Sequence, residues 1–220
     1  MDLLFILMFI IPAIAQIYVS STYRKYIKIK SKCGLTGYDM AKQILNNNGL
    51  SDLYIVEIKG TMTDHYDPTR KIVKLSTDVY NDDSVSSIAI AAHECGHAIQ
   101  DKENYTFLRI RSKIFPVVSV ANKFAYIVLL IGVILEFFDL IIAGIVLVGF
   151  GLVFQFITLP VEIDASRRAL KEMEKCNVLS DDTDGVKVML RSAALTYVAA
   201  VLSSALEVFR LLSIFMNRRD

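Results

Sequence analysis

The segment from Ser84 to Gln100 reads SVSSIAIAAHECGHAIQ. Alanine and isoleucine dominate it, and Asp82, Asp83 and Ser84 stand at its start, so the pattern predicts a buried helix with an acidic, capped N-terminus. Within it, His93 to His97 form HECGH. Two imidazoles four residues apart share one helix face, one turn apart, where both can reach a single metal ion. Glu94 lies between them. Imidazole is a preferred zinc ligand, and a carboxylate beside a zinc-bound water can take its proton and leave hydroxide near neutral pH. That is hydrolytic chemistry. The competing reading is a chance pentapeptide whose polar groups satisfy one another. On so apolar a helix, two histidines and a glutamate without partners would be costly to bury, which makes a metal site the expectation.

The bulk composition points to lipid. Of 220 residues, 54% are hydrophobic, and the mean hydropathy of +0.44 is above that of a typical soluble domain. The net charge of +1 gives no basic field for nucleic acid. Cys33, Cys95 and Cys176 are odd in number and far apart, which argues against a disulfide framework and suits a reducing compartment. Cys95 points away from the face shared by His93 and His97 and reads as small helix packing.

N-terminal to the helix, an apolar stretch from Leu3 to Val19 is followed by Arg24, Lys25, Lys28, Lys30 and Lys32. A secretory signal carries its positive charge first, so this order predicts an uncleaved anchor with its N-terminus outside, kinked at Pro12. From Leu35 a small soluble domain begins. Thr36 and Asp39 start a short helix that Asn48-Gly49 ends. LYIVEIKGTM, the turn TDHYDPTR and KIVKLS then predict a β-hairpin leading into the HECGH helix. A strand in that position is a common device for holding an extended peptide beside a metal.

C-terminal to the helix, apolar runs from Phe124 to Phe138 and from Leu140 to Pro160 are separated only by EFFD, Glu136 to Asp139. Basic residues flank the pair at Arg109, Arg111, Lys113 and Lys123 and again at Arg167, Arg168 and Lys171. This predicts a transmembrane hairpin with an acidic tip outside, rather than a buried helical hairpin in a soluble core. The chain re-emerges at VEIDASRR, where Glu162, just after Pro160, begins a new helix. A catalytic zinc takes three protein ligands and keeps one position open, and the remaining histidine is His65. Glu162 is the preferred third ligand; its alternative role is a helix-start carboxylate. His65 and Tyr66, in the turn before the HECGH helix, can both donate to an oxyanion or can simply be turn residues. In the tail, the uncharged part from Ser192 to Leu206 is short for a span, and Glu207 and Arg210 break the apolar run immediately beyond it. A helix packed on the catalytic domain or lying at the interface is therefore preferred to a fourth span.

HECGH, two spans and then EIDAS, with TDHYDPTRKIVKLS ahead of them, resemble the YugP-type neutral zinc metallopeptidases of bacterial membranes, and more distantly the HtpX-type membrane zinc proteases. The resemblance runs from about Gly34 to Leu212. It implies a membrane-embedded metalloendopeptidase whose active site faces the cytoplasm. In the HtpX type the glutamate equivalent to Glu162 is the third zinc ligand, with alanine and aspartate at the third and fourth positions after it. Here Ala165 matches, but Ser166 stands where that aspartate would be, so a histidine ligand has to be oriented from elsewhere, with Asp164 a candidate.

The expected fold is mainly α, an α+β membrane protein. Residues 1–22 form an anchor and 23–120 a zincin-like catalytic part with a short β-hairpin. Residues 121–160 form a transmembrane helical hairpin, and 161–220 a second catalytic part. One Zn2+ is held by His93, His97 and Glu162, with Glu94 as general base in a gluzincin-like, multi-pass protein of the cell membrane. Expected partners are protein or peptide substrates, membrane proteins among them, and the bilayer, but no nucleic acid. A rival class is a non-enzymatic zinc-dependent assembly or scaffold protein, and a third is a lipid or small-molecule hydrolase, for which no lipid-shaped pocket is legible. Glu94 discriminates between the first two, since a structural zinc has little use for it.

Overall fold

The computed structural model describes residues Leu3 to Asn217, as seven helices and three strands. They run α1 (Leu3–Tyr26), α2 (Gly37–Asn47), β1 (Tyr54–Ile58), β2 (His65–Asp67), β3 (Ile72–Ser76), α3 (Thr77–Tyr80), α4 (Val85–Lys102), α5 (Thr106–Ile134), α6 (Phe138–Lys175) and α7 (Leu179–Asn217). The chain divides into two compact units. One comprises Ile17–Tyr105 and Val161–Leu195, the other Met1–Gln16, Thr106–Pro160 and Thr196–Asp220.

The first unit is built on α4. Ser84 caps it, accepting the Ser87 N–H at 3.1 Å, and Ile88, Ala89, Ala91, Ala92 and Cys95 are fully buried. α2 packs beside it through Met40, Ala41, Ile44 and Leu45. A reciprocal capping box fixes where α2 starts: Asp39 N–H donates to Thr36 Oγ1 at 3.1 Å, and Thr36 N–H donates back to Asp39 Oδ2 at 3.2 Å. α1 also reaches this core, for Val19, Thr22 and Tyr23 in its last turns are buried.

The strands depart from the expected hairpin. They form a three-stranded sheet in the order β1-β3-β2, with β1 parallel to β3 and β2 antiparallel to it. The two longer strands that were expected to fold back on each other instead run the same way. TDHYDPTR, read as a turn, contributes β2 as well as the true β2–β3 turn. Asp67 Oδ1 closes that turn by accepting from Thr69 N–H, Thr69 Oγ1 and Arg70 N–H. β2 is only three residues long and reads exposed, buried, half-buried, so its inward residue, Tyr66, is the whole of its core signal.

Pro160 does not begin a new helix: α6 is continuous through it, and Glu162 lies in its interior. Proline removes one helical hydrogen bond and crowds the turn before it, a cost of about 3 kcal/mol. Beyond it Val161, Ala165, Ala169 and Met173 recur at every fourth residue, and all four are fully buried. Burial of that stripe offsets the lost rung and carries the helix on.

In the second unit α5 and α6 fold back on each other through a linker in which Glu136 takes a positive φ of 51°. Gly132 permits the close approach of the two helices, since a Cβ there would lie 2.8 Å from the Ile141 backbone nitrogen. Leu129, Ile141, Ile145 and Val148 are buried, with Val208, Leu211 and Phe215 of α7 packed against them. Phe115, Val117, Phe124, Leu130, Val146 and Phe156 are exposed, so this unit carries an extensive apolar surface. Among the described residues four helices are long and apolar enough to cross a membrane: α1, α5, α6 and the Asp182–Met216 part of α7. α7 is thus a candidate span by length and composition, while its first part packs in the first unit as expected, where Leu179, Val186, Met189 and Leu190 are buried. The charges that interrupt it have partners: Glu207 accepts from the Tyr126 hydroxyl, and the Arg210 guanidinium lies 4.8 Å from the centre of the Phe5 ring.

Candidate metal centre

His93, His97 and Glu162 meet inside the first unit. Glu162 Oε2 lies 3.3 Å from His93 Nε2 and 3.5 Å from His97 Nε2, and the ligand atoms of all three fall within 4.8 Å of one another. Zinc–nitrogen and zinc–oxygen bonds of about 2.0–2.1 Å in a tetrahedron put ligand atoms about 3.3 Å apart, so both imidazole–carboxylate spacings fit one zinc ion. Two neutral nitrogens and one carboxylate oxygen are also the donor set such an ion takes. The two imidazoles stand nearly perpendicular, at 84°, with centroids 4.8 Å apart.

This meeting depends on Gly96. An added Cβ there would sit 2.5 Å from the Ala165 carbonyl oxygen, so α4 and the C-terminal part of α6 touch backbone to backbone. Only glycine allows it. The contact lies one residue before His97 and three after Glu162, which brings Glu162 within reach of the two histidines.

Each ring is held from behind. His97 Nδ1 lies 3.0 Å from Gln100 Oε1, and His93 Nδ1 lies 3.2 Å from Ser166 Oγ. Ser166, the residue that departs from the HtpX-type pattern, thus stands on a histidine. Asp164 touches neither ring; Gln100 Nε2 donates to Asp164 Oδ2 at 2.9 Å and to the Val161 carbonyl at 2.8 Å. Sequence reasoning missed Gln100, although positions 93, 97 and 100 share one helix face and could have marked it.

Glu94 stands beside this cluster, not in it. Its Oε2 accepts the Tyr66 backbone N–H at 2.8 Å. Burial pushes its carboxyl up to about 7, against the pull of the neighbouring His93. Tyr66 therefore comes to the site through its main chain. Its hydroxyl is turned to Asp101, donating to Oδ2 at 2.9 Å. His65 is exposed on the other face of the same strand, with Nδ1 2.8 Å from the Thr63 carbonyl.

Comparison with known proteins identifies the family. A family model described as "Putative neutral zinc metallopeptidase" matches residues 1–216. The chain is similar to the "Putative membrane protease YugP" of Bacillus subtilis (strain 168), with 45% identity over 207 residues, covering 94% of this chain and 92% of that protein. No solved structure matches. With two histidines and one glutamate gathered where they could hold a metal ion and the family model matching almost from end to end, the chain belongs to the neutral zinc metallopeptidase family that this description names.

Proposed function

We propose that this protein is a membrane-embedded zinc endopeptidase that hydrolyses peptide bonds of proteins or peptides at the cytoplasmic face, with Glu94 as general base. The observation that carries the reading is the position of Glu94. It is buried beside the three residues that could together hold zinc, and it is not one of them. A purely structural site has no need of such a carboxylate.

His93, His97 and Glu162 would hold the ion and leave its fourth position open. An ion bound there supplies Lewis acidity toward a water and toward the scissile carbonyl. Glu94 takes a proton from the attacking water and returns it to the departing amine nitrogen, so protons balance over the cycle. β2 is an edge strand, and its central N–H is donated to Glu94 rather than to the sheet. An extended peptide added along that edge would lie next to the base, which supports a peptide as substrate in a zincin-like arrangement.

The four long apolar helices support a multi-pass membrane protein. Basic residues at Arg24 to Lys32, Arg109 to Lys123 and Arg167 to Lys171, against Glu136 and Asp139 at the hairpin tip, support a catalytic unit on the cytoplasmic side. The test compares purified wild type with Glu94→Gln for zinc content and for cleavage of casein or a peptide. Equal zinc with cleavage lowered by about 10²–10⁴-fold is expected. Cleavage that survives unchanged in Glu94→Gln would remove the mechanism, and zinc without cleavage in the wild type would favour the scaffold reading.

A further inference from the structure

We propose that Gln100 is the positioning residue of this centre: it fixes His97 in the tautomer that turns Nε2 toward the metal and ties together the two helices that carry the ligands. The proposal rests on the zinc reading of His93, His97 and Glu162.

Elimination assigns the hydrogen. The Gln100 side chain is fully buried and has three partners: His97 Nδ1, the Val161 carbonyl and Asp164 Oδ2. A primary amide has one accepting end and one donating end. The Val161 carbonyl can only accept. Asp164 likewise only accepts, because it is held as a carboxylate: Arg168 Nε donates to Oδ2 at 2.5 Å and Arg167 Nη2 donates to Oδ1. Both neighbours therefore claim the NH2 end, and the amide cannot be turned over without facing two acceptors with its oxygen. Oε1 is left for His97, so His97 Nδ1 must carry the hydrogen and donate it. In a neutral imidazole that leaves the Nε2 lone pair free, and Nε2 is the atom 3.5 Å from Glu162 Oε2.

The same amide spans the gap between ligand helices. Gln100 and His97 belong to α4, whereas Val161, adjacent to Glu162, and Asp164 belong to α6. Arg168 extends the chain of contacts to Glu103 at 2.5 Å, so the orientation of a buried imidazole is set from a charged network at the surface of the unit. Asp164 does orient a histidine, as the sequence suggested it could, but through Gln100.

The test uses the full chain in detergent with two variants, Gln100→Met and Asp164→Asn. Gln100→Met keeps the length of the side chain and removes all three hydrogen bonds. Asp164→Asn leaves Gln100 in place but offers it an NH2, so that the amide can turn. Zinc affinity is read by competition with a chromophoric chelator. The tautomer is read in the metal-free protein by 15N imidazole spectra, which three histidines keep simple. The expected result for Gln100→Met is zinc affinity about 10–100-fold weaker together with loss of the Nδ1–H form of His97. Asp164→Asn should give a mixture of tautomers and a smaller loss. A residue that merely packs would lower the melting temperature and move neither readout. Zinc affinity within twofold of wild type and an unchanged Nδ1–H signal in Gln100→Met overturn the proposal; should that variant fail to fold, the same result in Gln100→Leu, which also lacks all three hydrogen bonds, does so. A wild type that binds no zinc refutes the metal reading itself, a different failure from a wild type and a variant that bind equally.

Discussion

At the residue scale, the roles of neighbouring side chains separate by what each one touches. Glu162 completes the cluster and Glu94 does not, so Glu162→Ala should weaken zinc binding by about two orders of magnitude or more, while Glu94→Gln keeps the metal and loses turnover. Metal analysis after gel filtration distinguishes the two. Tyr66 and His65 separate in the same way. The Tyr66 hydroxyl is on Asp101, so Tyr66→Phe should cost about 0.5–1.5 kcal/mol of stability in denaturant unfolding and leave the cleavage rate within a few-fold. A hundredfold fall in rate would instead make that hydroxyl the oxyanion donor. The three residues that meet in the cluster were legible because helical spacing and the coordination number of zinc are rules of local chemistry. Ser166 as the partner of His93 was not, since nothing in the order of residues says which hydroxyl a ring nitrogen will meet.

At the scale of elements, the centre depends on how closely α4 approaches α6. Gly96→Ala puts a methyl group against the Ala165 carbonyl; separating the helices should cost about 1–3 kcal/mol and weaken zinc binding by moving Glu162 away from His97. Zinc titration alongside thermal unfolding checks both effects. Thr36→Ala is the contrasting case: it removes the α2 cap and should cost about 1 kcal/mol while leaving zinc affinity unchanged. The α2 cap and the Ser84 cap could be read from sequence because a cap lies within three residues of what it caps. The sheet could not. β1 pairs with β3 in parallel across a connection that itself contains β2, and a three-residue strand has too few side chains to declare an alternating pattern. Pro160 misled for a related reason: the penalty of a proline is local, whereas the buried stripe that overrides it is tertiary.

At the scale of the whole molecule, the proposed topology makes a labelling prediction. Cys33 and Cys176 are half-buried and Cys95 is buried, all in the unit that holds His93, His97 and Glu162. In spheroplasts a membrane-impermeant maleimide should leave Cys33 and Cys176 unlabelled, and in inverted vesicles it should reach at least one of them; the reverse pattern would put the catalytic unit outside. What the sequence determined by itself was three of the four long apolar helices, the histidine pair on one face of α4 and the donor type that would complete a zinc site. Each comes from periodicity, length or valence over a few consecutive residues. What only the tertiary structure decided was which distant groups meet: Glu162 reaching the histidines, Gln100 bridging two helices, and Glu207 and Arg210 finding partners that let α7 run unbroken. Such meetings are fixed by backbone approach and the packing of side chains far apart in the chain, and no local rule contains that information.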